Sequence, residues 1–248
     1  MCYNVRMIKT VEQLEREYQL KLLFGEQKVE GELTYNHANG FAHPLLWVLP
    51  QEQPGHMTPM MWGLIPEYEQ GEGYKEYYKK TIQYGSGLNA QSEKLFSSGM
   101  YKNSGLNRRC IIPVDGFYEP HTAPNNYKVP FYFRAKEEAM LNLAGIYTVT
   151  KDKYVTFSIL TRAATPLFAK IHNKKKRRPV ILDKKDIDTW LSDGLDKMDV
   201  GRMIDNDLPD DHFSAYPISR DLYSPKVDSN REDIIDVVDD PKLEIDYR

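Results

Sequence analysis

Cysteine stands at position 2, directly after the initiating methionine, so removal of Met1 leaves one residue carrying both a free α-amine and a thiol. Such a 1,2-aminothiol traps an aldehyde. The amine condenses to an imine with loss of water, the sulfur adds to the same carbon, and the product is a thiazolidine that resists hydrolysis better than an open imine. With ordinary values of about 7.7–8.0 for an α-amine and about 8.5 for a thiol, part of the amine is unprotonated near neutral pH. No single side chain offers both nucleophiles. The competing reading of Cys2 is an incidental residue beside the start of the chain. Three further residues suit proton chemistry or its support. Asn89 follows the glycine-rich stretch GSGLNAQSEKLF, where asparagine ordinarily serves the turn itself. Glu119 closes the aromatic run DGFYEP from Asp115 to Pro120. Facing solvent it is a plain surface carboxylate; in a pocket beside Phe117 and Tyr118, burial would raise its pKa and fit it to shuttle protons. His172, in TPLFAKIH, is either a structural histidine or the side chain best poised for proton transfer near neutrality.

These four residues are far apart in sequence, so only the fold can join them. From Thr10 the residues Val11, Leu14, Tyr18 and Leu22 recur at helical spacing, with Thr10 and Gln13 as a capping box and Gly25 as a stop, which predicts a helix from Thr10 to Phe24. Short apolar runs follow: LLWVL from Leu45, MMWGLIP from Met60, CIIPVDGFYEP from Cys110, PFYFRA from Pro130, MLNLAGIYTVT from Met140 and YVTFSIL from Tyr154. They have strand length, are rich in β-branched and aromatic residues, and are separated by Pro, Gly and Asn. Asp183 and Asp186 cap a helix through Trp190 and Leu191, Met198 to Ile204 forms another, and Phe213 to Ile218 is a late strand. Few strands have a helix between them, so the fold class is α+β, with a curved, barrel-like, mainly antiparallel sheet and peripheral helices. Glu67 to Gly87 is polar and tyrosine-rich with a short helix, a functional loop or insertion.

The length of 248 residues, with no Ser/Gly/Pro-rich linker, predicts one domain over 1–225 and an acidic tail over 226–248, partly docked through Ile234, Ile235, Val237 and Val238. No internal repeat is visible. No apolar run approaches spanning length and the N-terminal segment has no apolar core, which predicts a cytoplasmic protein without a membrane partner. Two cysteines, Cys2 and Cys110, are too few for a disulfide framework or a cysteine-based zinc site, and Cys110 reads as a buried bystander. No metal or cofactor is expected. Net charge is −3, but the tail carries −4, leaving the body at about +1 with a basic cluster from Lys174 to Arg178. That cluster is a solvated loop or a contact for a short phosphate backbone.

Beyond these readings, several motifs occur in a recognisable order: MC at the start, WGLIP at 62–66, LNAQSE at 88–93, RRCIIPVDGFYEP at 108–120, LTRAA at 160–164, IH at 171–172, RPVIL at 178–182 and YPIS at 216–219. In this the chain resembles the SRAP family, the SOS-response-associated-peptidase-like proteins that process abasic sites. The resemblance implies a monomeric domain that binds single-stranded DNA and cross-links covalently to the ring-opened sugar aldehyde of an abasic site. By motif it implies Cys2 as nucleophile, Asn89 as the residue that orients its amine, Glu119 as general acid/base and His172 as the donor that opens the sugar ring. It further implies DNA contacts at Arg6, Trp62, Gln91, Thr161, Arg178 and Ser219, self-removal of Met1 under the peptidase label, and an abasic-site lyase activity.

The chain also departs from the family pattern. Where members commonly begin MCGR, Tyr3 and Asn4 stand here; the NAR motif reads Asn89-Ala90-Gln91; and GFYEW reads GFYEP, with Pro120. The spacing from His172 to Pro179 is three residues longer than the common H-x-x-x-P form. Arg6 and the lysine cluster would have to restore the lost positive charge. Two other functions stay open at this level: an N-terminal-cysteine peptidase using Cys2 with His172, and a non-catalytic single-strand binder using basic and aromatic residues.

Overall fold

The computed structural model describes residues 2–20, 32–137, 139–243 and 245. The strands are β1 (Asn4–Met7), β2 (Tyr35–Asn39), β3 (Leu45–Pro50), β4 (Thr58–Trp62), β5 (Asn89–Gln91), β6 (Arg109–Val114), β7 (Gly116–Thr122), β8 (Lys128–Ala135), β9 (Leu141–Val149), β10 (Val155–Ala163), β11 (Arg177–Pro179), β12 (Ile181–Leu182) and β13 (Phe213–Pro217). The helices are α1 (Val11–Glu17), α2 (Tyr74–Thr81), α3 (Lys102–Asn107), α4 (Pro166–Ile171), α5 (Ile187–Leu191) and α6 (Lys197–Asp205). The class is α+β, as expected from the strand-rich middle of the chain.

Five strands close a barrel in the order β10, β4, β3, β6, β9 and back to β10, with β5, β11 and β12 attached to its rim. Closure depends on β10, which pairs antiparallel with β9 and parallel with both β4 and β5. Closing the sheet removes exposed edges. Its interior is filled from strands buried on both faces: β6 reads RCIIPV and every residue in it is buried. A second sheet runs β13-β8-β7-β1-β2 and leaves the barrel where a single residue, Asp115, separates β6 from β7. Between the layers sit Phe117, Phe133 and Phe168, with ring centroids 5.1 Å apart for the first pair and 4.6 Å for the second.

Helix α1 starts as its sequence predicts: Thr10 Oγ1 accepts from Gln13 N, and Gln13 Oε1 accepts from Thr10 N at 2.9 Å. It ends at Glu17, before the expected Phe24. Gln19 takes a left-handed conformation (φ 54°), and Leu20 N donates to Glu15 O at 2.8 Å, which closes the last turn in a Schellman arrangement. The expected Leu22, Phe24 and Gly25 lie outside the described residues. The run MMWGLIP is strand only to Trp62, because Gly63 turns at φ 129°. The segment beginning at Asp183 is a 3₁₀ turn, Lys184–Asp186, continued by α5. Past β13, Ile234 is buried and Val237 forms an antiparallel bridge with Ile218, while the Val237 side chain is 67% exposed. Among the described residues, no helix is long and apolar enough to cross a membrane.

Candidate functional site

Strand β1 lies between β7 and β2, pairing Asn4 with Tyr118 on one side and with Asn39 on the other. Extending the antiparallel register by one residue sets Tyr3 against Glu119, and Gly40 N donates to Tyr3 O at 2.8 Å. Cys2 is therefore held at the end of a central strand and is wholly buried. Its carbonyl accepts from Asn89 Nδ2 at 2.9 Å. The Asn89 Oδ1 is buried and has no hydrogen-bond partner among the described residues. Burial pushes the Cys2 thiol well above its ordinary pKa, and the nearby Glu119 adds to the shift.

Asn89 reaches this position because the chain reverses sharply just before it. Gly85, Ser86 and Gly87 are all left-handed, with φ of 86°, 49° and 67°. A Cβ on Gly87 would lie 2.3 Å from the Leu64 carbonyl oxygen, so only glycine fits that approach. Trp62 Nε1 donates to Leu88 O at 2.9 Å, and Asn89 then enters β5 opposite Ile159 of β10. The barrel thus fixes the residue that grips Cys2.

Glu119 is wholly buried in β7, and that burial raises its carboxyl to about 7. His172 follows α4, with its Nδ1 3.2 Å from Glu119 Oε2. The same Nδ1 donates to Arg177 O at 3.1 Å, which leaves the lone pair of the neutral ring on Nε2. Burial lowers the imidazole to about 4, so the ring is neutral at pH 7. Both groups line a cavity of about 730 Å³, together with Tyr3, Phe41, Lys128 and Tyr223. Lys174 and Lys175 line it as well, on the long loop after His172. A carboxyl titrating near neutrality and a neutral imidazole at the cavity, with the buried aminothiol precursor near the carboxyl, form an arrangement suited to imine chemistry.

The residues expected to contact DNA distribute differently. Trp62, Thr161 and Arg178 are wholly buried. Trp62 props the β5 approach, and Thr161 Oγ1 accepts from Arg177. Arg178 places Nη2 3.1 Å from Asp207 Oδ2 and its guanidinium 4.5 Å from the centre of the Phe168 ring. The polar groups of all three are engaged inside the protein. Arg6 is nearly buried and donates to Asn36 Oδ1 at 3.1 Å. Ser219 caps the 3₁₀ turn Arg220–Tyr223, accepting from Asp221 N, and Gln91 is half-buried on β5. Sequence reading missed Lys128, Phe41 and Tyr223 at the cavity. No spacing links them to Glu119; only strand adjacency and the turn after β13 do.

A barrel joined to an open sheet, with Cys2 at the end of a central strand beside Asn89, Glu119 and His172, defines a class, and comparison with known sequences supplies it. The chain belongs to the SOS response associated peptidase (SRAP) family, whose model matches residues 1–225. It is 27% identical over 206 residues to the abasic site processing protein YoqW of Bacillus subtilis, covering 81% of this chain and 86% of that one. It is 25% identical over 242 residues to YoaM, an abasic site processing protein of the same organism, covering 95% of this chain and 98% of the relative. A crystal structure of a protein from Bacteroides thetaiotaomicron superposes with a TM-score of 0.80 at 26% identity, covering 96% of this chain and all of the other.

Proposed function

We propose that this protein captures abasic sites in single-stranded DNA by forming a thiazolidine on Cys2 once Met1 is removed. The observation that carries the reading is the convergence of separate elements on Cys2: Asn89 bonded to its carbonyl, and Glu119, close enough to act on its thiol, paired with His172 at a cavity rimmed by lysines.

In this reading the sugar opens to its aldehyde, the Cys2 amine adds to the carbonyl, and the carbinolamine loses its hydroxyl as water. Glu119, with a carboxyl near 7, supplies the proton for that departure. The buried thiol is a poor thiolate, so nitrogen attacks first. Sulfur then adds to the imine carbon and its proton passes to the nitrogen. Asn89 holds the Cys2 carbonyl and offers Oδ1 to the liberated amine. The neutral His172 acts with Glu119 as one proton-carrying pair at the sugar oxygen. Self-removal of Met1 and strand cleavage at the bound site extend the same reading, in which residues 1–225 work as a single monomeric domain in the cytoplasm and the 226–248 tail is partly docked on it.

The test is direct. Purified protein lacking Met1, mixed with an abasic single-stranded oligonucleotide, should give a heat-stable adduct whose intact mass equals protein plus DNA minus one water. Cys2→Ala should abolish it. If the alanine variant cross-links as well as wild type, the reading fails. Cleavage of other proteins without adduct formation would instead indicate a cysteine peptidase.

A further inference from the structure

The tyrosine-rich insertion ahead of Asn89 has no part in the chemistry above, yet it is firmly anchored beside the site. Tyr78 on α2 donates its hydroxyl to Gly63 O at 2.5 Å and stacks on His43 with ring centroids 3.4 Å apart. Ser86 Oγ donates to Tyr78 O at 3.2 Å, closing the arm against its own base. On this fixed backbone, the 3₁₀ turn Ile82–Tyr84 holds Tyr84 with 82% of its surface exposed. Such an aromatic contributes nothing to packing; it offers a planar face to a partner.

The surroundings indicate what that partner is. Lys75, Lys79 and Lys80 are exposed on α2 against one acid, Glu76, and two of the lysines crowd its last turn next to Tyr84. The insertion's other acids, Glu67, Glu69 and Glu72, all precede the helix. The arm is also continuous with the cavity. A Cβ on Gly85 would lie 3.7 Å from the Tyr3 hydroxyl, and Tyr3 packs against the 45%-exposed Phe41 at 4.9 Å, both lining the cavity. In the order β8-β7-β1-β2, Lys128 lies on the β8 side of Glu119, and Tyr3, Phe41 and the arm lie on the other. Positive charge therefore flanks the cavity on both sides, with aromatic surface leading outward toward α2.

Resting on the function proposed above, we infer that the arm is a second contact for single-stranded nucleic acid. Tyr84 stacks a base beyond the captured nucleotide, and Lys79 and Lys80 hold the adjoining phosphates. A polyanion with exposed bases matches both features, since every base presents a stacking face and each phosphate a charge.

Fluorescence anisotropy with an intact labelled single strand, alongside capture of its abasic counterpart, tests this on wild type, Tyr84→Ala, Tyr84→Phe and the pair Lys79→Ala/Lys80→Ala. Alanine at 84 should raise Kd roughly five- to hundredfold while phenylalanine stays near wild type. The lysine pair should make the slope of log Kd against log salt shallower by about 1.4, about 0.7 for each lost phosphate contact. All these side chains are exposed, so Tm should hold within a few degrees. If wild type captures the abasic strand and the arm variants match it in Kd and salt slope, the arm assignment is overturned and the capture chemistry stands. If wild type neither binds nor cross-links, the underlying reading fails and takes the arm with it. A wild-type dimer that Tyr84→Ala converts to monomer, with Kd unchanged, would assign the surface to a second copy and also overturn the proposal.

Discussion

His172 places its Nδ1 3.2 Å from Oε2 of Glu119, and both side chains are shut away from water. Burial disfavours the charged form of each, raising the acid to about 7 and lowering the base to about 4. That inverts the order the two groups have in solution. At neutral pH the exchangeable proton belongs to the carboxyl, and the imidazole serves as its neutral neighbour.

The inversion has a signature in stability. Between the ordinary value of 4.5 and about 7, folded Glu119 keeps a proton that the unfolded chain has lost, so its contribution falls as pH rises through that window. His172 acts oppositely, adding stability as pH rises from about 4 to 6.5. Glu119→Gln removes only the first effect. Its unfolding free energy relative to wild type should therefore climb by on the order of 1–3 kcal/mol from pH 4.5 to 7. Denaturant melts across that range measure it, and a difference independent of pH would show an ordinary carboxyl at 119.

The same substitution should slow adduct formation by roughly 10²–10⁴-fold at pH 7 if Glu119 is the acid for water loss. Wild type should show a bell-shaped rate profile whose alkaline limb begins near 7, because the amine must be free while the carboxyl stays protonated. Quenched-flow gels across pH would reveal the limb, and its survival in Glu119→Gln would assign it elsewhere.

Removing Asn89 separates positioning from folding. Asn89→Ala loses the bond to the Cys2 carbonyl, which should lower stability by only about 0.5–1.5 kcal/mol. Adduct formation should nevertheless fall at least tenfold by the same gel assay. Equal rates would show that the strand alone fixes Cys2.

Phe117 lies wholly buried between the layers, 5.1 Å from Phe133 and 6.1 Å from Phe168. Phe117→Ala should cost about 3–5 kcal/mol in chemical denaturation. A loss below about 1 kcal/mol would place the ring outside the core.

Arg178 tests whether engagement inside the protein keeps an arginine from the DNA. Arg178→Ala removes one of the two arginines paired with the buried Asp207, leaving Arg162 at 2.9 Å, and should destabilise the fold by about 1.5–3 kcal/mol. The folded fraction should bind single-stranded DNA with the salt dependence of wild type. A shallower slope would return Arg178 to the nucleic-acid surface.

What the sequence disclosed follows the range of the interaction involved. The Thr10–Gln13 capping box was legible because it is settled within four residues. The end of α1 was not, because Gln19 occupies a left-handed position that composition assigns to glycine. Strand-length runs announced β3, β8, β9 and β10, but nothing local states that β10 pairs with β4, β5 and β9 and so closes a barrel. At the site, residue type singled out Cys2, Glu119 and His172. Burial decided the remainder: Arg178 looked like a basic surface residue until the fold brought Asp207 against it, from a segment that carries no motif. Tyr223 and Lys128 reach the cavity through a turn and the start of a strand.

During synthesis β1 waits a long time for one of its neighbours. β1 leaves the ribosome well before β7, which spans Gly116–Thr122, so more than a hundred residues must be added before that side of β1 can pair. At 5–20 residues per second this leaves an interval on the order of ten seconds. Any trimming ahead of Cys2 by an outside aminopeptidase belongs to that interval, since the finished sheet closes over the residue. For that outside route the timing of translation would govern what share of newly made chains carries a usable terminus, whereas self-removal of Met1 would depend on the completed cleft.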